Sequence, residues 1–399
     1  MRVALVHDYL TQYGGAERVL DEFKLAFPDA PVFTSVADLN RMPAHYRGWD
    51  IRTSWLQRLP GLRRDPRLLL PLLPTALESF DFDGFDVVLA SSSGFCHGTL
   101  TGSQTCKITY CHSPARFLWN YPGYARREGL APSVQALVRP MLRGLRQWDM
   151  VSASRTDYWI AVSGLIQRRI TKYYRRESLV LPPPVDTSRF DATAGRDDGY
   201  YLMLMRLVGW KRPDIVVEAC NRLGLRLVVA GDGREEAALR RLAGPTIEFV
   251  GRVDDRQMRG LYAGCTAFIL PSEEDFGITA LEAMASGKPV IAYAAGGALE
   301  TVIPEVTGTL FDAQTPDSLA AALQRFEPGR FVPATIRRHA EGFDSTLFRQ
   351  RLQEIVAAAH EAYRAGVPSF EGGRGPAGTV SDLPPTAGPV PAAVTIPAE

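Results

Sequence analysis

The hydrophobic positions fall into short, nearly continuous runs of Val, Ile, Leu and Ala, as in parallel strands buried on both faces. These runs predict strands at 2–6, 86–90, 107–110, 158–162, 200–205, 225–230, 246–250, 266–270 and 289–293. Helical segments are predicted between them, at 15–26, 163–174, 211–223, 234–242, 279–286 and 316–326. Repeated strand–helix units of this kind predict a doubly wound α/β fold.

The stretch 181–199 interrupts this pattern with three consecutive prolines followed by turn-forming and charged residues. Such a stretch enters neither a helix nor a central strand. We therefore predict an N-terminal domain at 1–182, a linker at 183–199 and a C-terminal domain at 200–345. A last helix at about 346–364 carries an apolar stripe of period 3.6. The Pro/Gly/Ala-rich residues 366–399 are predicted to form a disordered tail.

Composition narrows the class of protein. The chain of 399 residues has 45 Lys and Arg against 44 Asp and Glu, so its net charge of +1 gives no reason to bind nucleic acid. Its five cysteines are scattered and form no C-x-x-C pair, which favours buried thiols in a reducing compartment over disulfides. We find no 18-residue apolar run and no signal-peptide pattern, and we expect a cytoplasmic protein.

The segment 55–74 interleaves arginines with Trp and Leu, and it also contains four prolines. One interpretation is an interfacial segment that touches anionic lipid and places the protein at the inner face of a membrane. The other is an irregular helical insertion that packs on its domain, because the prolines prevent one long amphipathic helix.

The region 271–292 carries the clearest candidate chemistry. A strand ends near Leu270, an acidic loop follows, and a helix starts near Gly277. The free N–H groups and partial positive charge of a helix N-terminus suit a phosphate. Glu274 lies ahead of the helix and Glu282 about one turn into it, so a carboxylate flanks each side of a phosphate site. A sugar diphosphate with hydroxyl groups at both ends fits this pattern.

Arg206 and Lys211 follow the strand 200–205. Two cations at the carboxyl end of a strand suit a diphosphate that gains charge as a bond breaks. Taken alone, they would more often be ordinary surface cations. Their occurrence together with the acidic loop favours a shared diphosphate site.

Two further elements lie in the N-terminal half. Gly14 and Gly15 open a helix after the first strand, where a ligand could approach the backbone. No G-x-G-x-x-G dinucleotide pattern is present. His112 follows an apolar strand and lies in a Ser-Pro loop, a position typical of ligand-site residues. Asp81, Asp83 and Asp86 precede their strand, at the end opposite to such sites, so no metal site is predicted.

These motifs together resemble the retaining glycosyltransferases of the large family-four group, over roughly residues 1–365. The resemblance rests on Gly14-Gly15, His112, Arg206 with Lys211, the LPPPVD linker and the Glu274-x7-Glu282 motif. It implies a GT-B fold, in which two Rossmann-like doubly wound domains face a central cleft. VHDYL, YCHSPARFLW and FGITALEAMASGKPVIAYAAGGALETVI are further similar to bacterial members that assemble polysaccharide, many of them from GDP-mannose.

The resemblance also implies residue roles. Arg206 and Lys211 would hold the donor diphosphate, Glu282 the ribose, and His112 the sugar near its reacting carbon. Glu274 and the backbone of Phe276, Gly277 and Ile278 would hold the sugar and phosphates. The Gly14-Gly15 loop would approach the donor phosphates or the acceptor. The segment 250–253, with Arg252 and Val253, would line the nucleobase. Such enzymes need no metal or other cofactor. The SPAR that follows His112, where relatives often have TPMR, leaves the acceptor open between a glycan and a polyprenyl-linked molecule.

Two other functions are compatible with the same motifs. A sugar-nucleotide epimerase would release an isomerised sugar nucleotide instead of transferring the sugar. A non-catalytic sugar-nucleotide-binding subunit would bind the donor and support a partner enzyme, although the full set of charged candidates argues against it.

Overall fold

Two compact units make up the fold in the computed structural model, which describes residues 1–59, 70–127, 129, 131–191 and 196–367. The first, unit 1, contains Met1–Pro184 and the segment that begins at Ser345. The second, unit 2, contains Val185–Asp344. Each unit has its own sheet and its own hydrophobic core.

Unit 1 is built on a seven-stranded sheet in which every pairing is parallel. Its strands are β1 (Val3–His7), β2 (Val32–Thr34), β3 (Ile51–Thr53), β4 (Val87–Ser92), β5 (Cys106–Cys111), β6 (Tyr158–Ala161) and β7 (Leu179–Val180). Their order in the sheet is β3-β2-β1-β4-β5-β6-β7. The residues of β1, β4, β5 and β6 are all buried, which explains why these strands read as continuous apolar runs.

The helices of unit 1 are α1 (Gly15–Ala26), α2 (Leu73–Glu78), α3 (Arg116–Trp119), α4 (Tyr121–Arg127), α5 (Pro132–Ser152) and α6 (Gly164–Tyr174). The predicted helices at 15–26 and 163–174 are confirmed. The long helix α5 was not predicted from the sequence. Proline occurs at its first position and again inside it at Pro140, and its first half is largely exposed, so the apolar pattern there is weak.

Unit 2 repeats the architecture with a six-stranded parallel sheet in the order β10-β9-β8-β11-β12-β13. The strands are β8 (Tyr201–Leu204), β9 (Leu227–Ala230), β10 (Ile247–Gly251), β11 (Ala267–Leu270), β12 (Val290–Tyr293) and β13 (Gly308–Phe311). The helices are α7 (Pro213–Leu223), α8 (Glu236–Leu242), α9 (Asp255–Gly264), α10 (Ile278–Ala285), α11 (Ala298–Thr301), α12 (Pro316–Arg325) and α13 (Pro333–Glu341). The two sheets confirm the predicted doubly wound α/β fold.

The last helix, α14 (Ser345–Arg364), returns to unit 1. Its apolar stripe of Phe348, Leu352, Ile355, Val356 and Ala359 is buried in the core of that unit. The ring of Phe348 stacks on Phe23 of α1 with 6.3 Å between centroids. The helix therefore completes a core that the first half of the chain begins.

Part of the segment predicted as a linker is attached to unit 2. The Val185 amide donates a hydrogen bond to the Phe343 carbonyl at 2.9 Å, and Phe190 is buried in the core. The hydroxyl of Thr187 donates to the Asp344 carboxylate at 2.6 Å. Residues 192–195 of this segment lie outside the described residues, as do 60–69 of the segment 55–74 and the tail from 368 onward.

In both sheets the strand order reverses beside the first strand of the unit. This point lies between β1 and β4 in unit 1 and between β8 and β11 in unit 2. Doubly wound sheets bind ligands outside the carboxyl ends of their strands at such a reversal. Within the described residues, no helix is both long enough and apolar enough to cross a bilayer.

Candidate functional site

The candidate residues of unit 2 follow two neighbouring strands. Arg206 and Lys211 come after β8, and Glu274 comes after β11. These strands pair directly, through Ala267 with Tyr201 and Phe268 with Leu202. The loops that follow them therefore leave the sheet side by side, where the strand order reverses. Motifs about 65 residues apart in the sequence meet because of this topology.

Lys211 and Glu274 form an ion pair at the carboxyl edge of this sheet. The Lys211 Nζ lies 3.0 Å from Glu274 Oε1, with side chains that are 20% and 15% exposed. The hydroxyl of Ser272 donates to the same carboxylate oxygen at 2.7 Å. The ammonium group also lies 5.1 Å from the centre of the Trp210 ring. The pair is thus held in place and yet remains open to solvent.

Arg206 is exposed at the end of β8, in a loop fixed by its backbone. The Leu207 amide donates to the Asp232 carbonyl at 2.8 Å, and the Val208 amide donates to the backbone carbonyl of Arg206 at 3.0 Å. Within the described part of the chain, the Arg206 guanidinium makes no ion pair or hydrogen bond. Because the backbone is fixed and the guanidinium has no partner among the described residues, Arg206 is suited to bind an anionic ligand.

The helix α10 begins immediately after the acidic loop. Gly277 precedes it with φ at +93°, in the left-handed region that favours glycine, and as a glycine it has no side chain to cap the first turn. The dipole of a helix favours an anion at its N-terminus. Phe276 is buried below this turn and Ile278 is its first residue.

Glu282 lies on the same helix with its carboxylate turned inward. The residue is only 3% exposed, and the Tyr262 hydroxyl donates to its Oε2 at 3.0 Å. The sequence analysis places Glu282 about one turn into the helix, and the structure shows its carboxylate there in a buried position. Burial with a phenol as partner fixes the position of this side chain, and its role toward a ribose stays a prediction.

A loop that the sequence analysis did not single out supports the acidic loop. The Gly297 amide donates to the Glu274 carbonyl at 2.8 Å, and Glu274 pairs with Gly296 in an isolated parallel bridge. A Cβ atom at Gly297 would lie 2.2 Å from Phe276 Cα, so only glycine allows this approach. The glycine pair 296–297, which follows β12 after two alanines, was the signal that could have revealed it.

Arg252 and Val253 lie apart from these groups. They follow β10, which is the edge strand, and β9 and β8 separate it from β11. Arg252 is exposed and Val253 is half-buried. Both residues lie at the carboxyl edge of the sheet, like the acidic loop, but we find no contact between them and that loop among the described residues. Their predicted place beside a nucleobase remains a prediction.

The remaining candidates belong to unit 1. His112 follows β5, and its Nε2 lies 2.9 Å from the Ser91 hydroxyl at the end of β4. Burial, and then the neighbouring His7, lower the pKa of His112 to about 3, so its imidazole is neutral at physiological pH. Gly15 is the first residue of α1, and the Gly14 amide donates to Glu17 Oε2 at 2.8 Å.

A buried carboxylate at this edge of unit 1 was also missed by the sequence analysis. Asp8, directly after β1, accepts hydrogen bonds from the backbone amides of Ser93, Phe95 and Cys96 at 2.6–2.8 Å. It fixes the loop after β4, next to Ser91. The carboxylates of Asp81 and Asp86 each accept a hydrogen bond from a backbone amide. That Asp81, Asp83 and Asp86 form no metal site stays a prediction.

Comparison with known proteins agrees with this arrangement. The family model "Glycosyltransferase Family 4" matches residues 13–189, and "Glycosyl transferases group 1" matches residues 185–340. A mannosyltransferase of Mycolicibacterium smegmatis, described as "GDP-mannose-dependent alpha-(1-6)-phosphatidylinositol monomannoside mannosyltransferase", is 30% identical over 55% of this chain and 69% of its own length. A "D-inositol 3-phosphate glycosyltransferase" of Geodermatophilus obscurus is 29% identical over 61% of this chain, which spans only 62% of that relative.

A solved structure extends the likeness to the fold of nearly the whole chain. The sucrose-phosphate synthase of Thermosynechococcus elongatus superposes with a TM-score of 0.69 at 18% identity, over 91% of this chain and all of that one. Two Rossmann-like units of parallel sheets and this likeness show the GT-B fold, and the two family models show the glycosyltransferase class. The chain belongs to family 4 of the glycosyltransferases.

Proposed function

We propose that this glycosyltransferase moves mannose from GDP-mannose to a glycan or lipid-linked acceptor in surface polysaccharide synthesis, with retention of configuration and without a metal. The observation that carries the proposal is the Lys211–Glu274 pair, 3.0 Å apart, which joins the loop after β8 to the loop that leads into α10. A cation for a phosphate, a carboxylate for sugar hydroxyls and the N-terminus of a helix occur there together. The name of the Mycolicibacterium smegmatis relative supports GDP-mannose as donor.

The proposed donor site assigns one task to each group. Arg206, Lys211 and the first turn of α10 bind the diphosphate, whose negative charge grows as it departs. Glu274 accepts hydrogen bonds from hydroxyl groups of the sugar, while the ion pair and Ser272 hold its carboxylate in place. The buried Glu282 binds the ribose in exchange for its contact with Tyr262. The backbone near Arg252 and Val253 binds the base. We assign His112 to the sugar near its reacting carbon, and the Gly14-Gly15 loop to the donor phosphates or the acceptor.

The proposed reaction exchanges one bond at the sugar. The bond between C1 and the phosphate oxygen breaks with its electron pair leaving on the diphosphate, and C1 gains oxocarbenium character. The acceptor hydroxyl oxygen attacks C1 from the same face and passes its proton to the departing phosphate oxygen. No protein base is needed for this proton transfer. The chain therefore contributes by stabilising charge and by orienting both substrates.

The first test measures donor choice and reaction type together. Purified full-length protein is incubated with GDP-mannose, UDP-glucose, ADP-glucose or dTDP-glucose, with and without a mannose-terminated glycan or a polyprenyl-linked acceptor. We expect nucleoside diphosphate release from GDP-mannose only with acceptor, and an α-linked product by NMR. An isomerised sugar nucleotide without release would show an epimerase, and binding without either product would show a binding subunit. A β-linked product would refute retention, and full inhibition by EDTA would refute metal independence.

The second test asks whether the acidic loop carries the reaction. Glu274→Gln removes the charge and keeps the size, and we expect at least a hundredfold loss of turnover at saturating donor. Glu248→Gln on β10 is the matched control, because that carboxylate is 59% exposed and pairs only loosely with Arg226 at 3.9 Å. Equal activity of the two variants would refute the proposed site.

A further inference from the structure

A line of mostly buried polar side chains crosses the carboxyl ends of three neighbouring strands in unit 1. His7 ends β1, Ser91 lies near the end of β4, and His112 follows β5. Glu17, in the first turn of α1, extends the line beyond β1. Of these, His7, Ser91 and Glu17 are at most 4% exposed, whereas His112 is half-buried. None of the first three has a role in the reaction described above.

The contacts along this line are continuous. The His112 Nε2 lies 2.9 Å from Ser91 Oγ, which lies 3.1 Å from His7 Nδ1. The His7 Nε2 in turn lies 3.5 Å from Glu17 Oε1. The other oxygen of Glu17 accepts the Gly14 amide at 2.8 Å. The parallel register fixes the central contact, because His7 and Ser91 are direct partners across β1 and β4.

The chemistry of the groups gives these contacts a direction. A carboxylate only accepts, so in the arrangement that we infer the single ring proton of His7 is on Nε2, facing Glu17. The Nδ1 of His7 then carries a lone pair and accepts the Ser91 hydroxyl proton. The Ser91 oxygen is left to accept, which requires the proton of His112 to be on its Nε2. The remaining nitrogen of His112, Nδ1, has no hydrogen-bond partner among the described residues and carries a lone pair.

We propose that Glu17, His7 and Ser91 are positioning residues that hold His112 as its Nε2–H tautomer, so that His112 presents Nδ1 as a hydrogen-bond acceptor to a hydroxyl group of the transferred sugar. The part of this inference that concerns the sugar rests on the proposed function. The part that concerns the tautomer does not, because it follows from contacts within unit 1 alone. Neutral His112 at physiological pH, described above, is required for a single tautomer to exist.

The tautomer is measured directly by nitrogen-15 NMR of labelled histidines in the full-length protein without ligand. The chain has six histidines, and the His112 signals are assigned by their loss in His112→Asn. We expect the Nε2–H pattern in the wild type and a mixture of both tautomers in Ser91→Ala. Ser92→Ala, the next residue on the same strand, contacts His97 and is the matched control with unchanged His112 signals. A wild-type Nδ1–H pattern, or the same pattern in Ser91→Ala, would overturn the proposal.

Glu17→Gln tests the contact between Glu17 and His7 at the other end of the line. It replaces Ser91→Ala as the test if that variant does not fold. Two donors, from Gly14 and His7, contact the Glu17 oxygens, and a Gln amide offers only one oxygen. We therefore expect this variant also to mix the tautomers of His112. Unchanged His112 signals in Glu17→Gln would remove Glu17 from the set of positioning residues and overturn the proposal as stated.

Kinetics separate the two parts of the inference. We expect kcat of Ser91→Ala to fall about tenfold, the upper range for one hydrogen bond, with the donor KM within twofold and Ser92→Ala unchanged. A wild type with the expected tautomer that transfers no sugar would refute the proposed function and leave the tautomer assignment standing. An active Ser91→Ala with wild-type kcat despite mixed tautomers would overturn the role toward the sugar.

Discussion

Removal of the Lys211 ammonium group is the perturbation that tests the donor site most directly. Lys211→Met keeps most of the length of the side chain and removes its charge. At 3.0 Å the attraction between Lys211 and Glu274 is about 5 kcal/mol for an effective dielectric constant of about 20. The cost of taking both charges partly out of water offsets most of this attraction. We therefore expect the free energy of unfolding to fall by only about 1–2 kcal/mol.

The effect of Lys211→Met on the reaction should be larger than its effect on the free energy of unfolding. A preorganised donor aimed at charge that develops in the transition state is typically worth about 3–4 kcal/mol, or about 10²–10³ in kcat. The Ser272 hydroxyl still donates to Glu274 in the variant, so the acidic loop keeps its shape. We expect Lys211→Met to remain folded and to lose about two to three orders of magnitude in kcat at saturating donor.

The assay pairs two measurements on the same preparation. Nucleoside diphosphate release with acceptor gives kcat, and urea unfolding followed by circular dichroism gives stability. Lys288→Met is the matched control, because this lysine also lies in unit 2 but its ammonium group bonds only to the Arg196 carbonyl among the described residues. Turnover of Lys211→Met within fivefold of the wild type would refute the assignment of Lys211 to the diphosphate. Loss of folding at the assay temperature would refute the stability reasoning.

Three further predictions follow from the same structure. Gly297→Ala should destabilise unit 2 by about 2 kcal/mol or more and lower turnover, whereas Gly260→Ala, whose Cβ would meet nothing within 4 Å, should be neutral or slightly stabilising in urea unfolding. Relative to His97→Gln, the wild type should lose stability as the pH drops below about 6.5, because burial lowers the pKa of His97 to about 3 and the unfolded chain binds the proton more readily; equal slopes of stability against pH in the two proteins would contradict it. Phe348→Ala should cost about 3–5 kcal/mol in the unfolding of unit 1, and a cost below about 1 kcal/mol would show that α14 contributes little to its core.

The fully buried strands, and the site residues Lys211 and Glu274 of unit 2, could be predicted from the sequence for a physical reason. Strands such as β1 and β11 are buried along their whole length, so their composition alone identifies them. By contrast, β2 and β3 have three residues each and β7 has two, too few for a pattern. Lys211 and Glu274 were identified because each lies in the loop that follows a strand of this sheet, β8 for Lys211 and β11 for Glu274.

Contacts that depend on the pairing of strands could not be predicted. His7 and Ser91 are separated by 84 residues, and only the register of β1 with β4 makes them neighbours. The inward turn of Glu282 toward Tyr262 likewise depends on how α9 packs on α10. Gly297 has no reactive side chain. It is important because only a glycine at this position lets the backbone lie against Phe276 of the acidic loop.

The return of α14 to the core of unit 1 gives the chain a particular order of assembly. During synthesis the ribosome completes all of unit 2 before the residues from Ser345 onward emerge. Until then, the side chains of β5 and α1 that α14 covers face water or a chaperone. A fragment that ends at Pro184 should therefore be prone to aggregation, whereas Val185–Asp344 contains every strand of its own sheet and is the better candidate for independent expression.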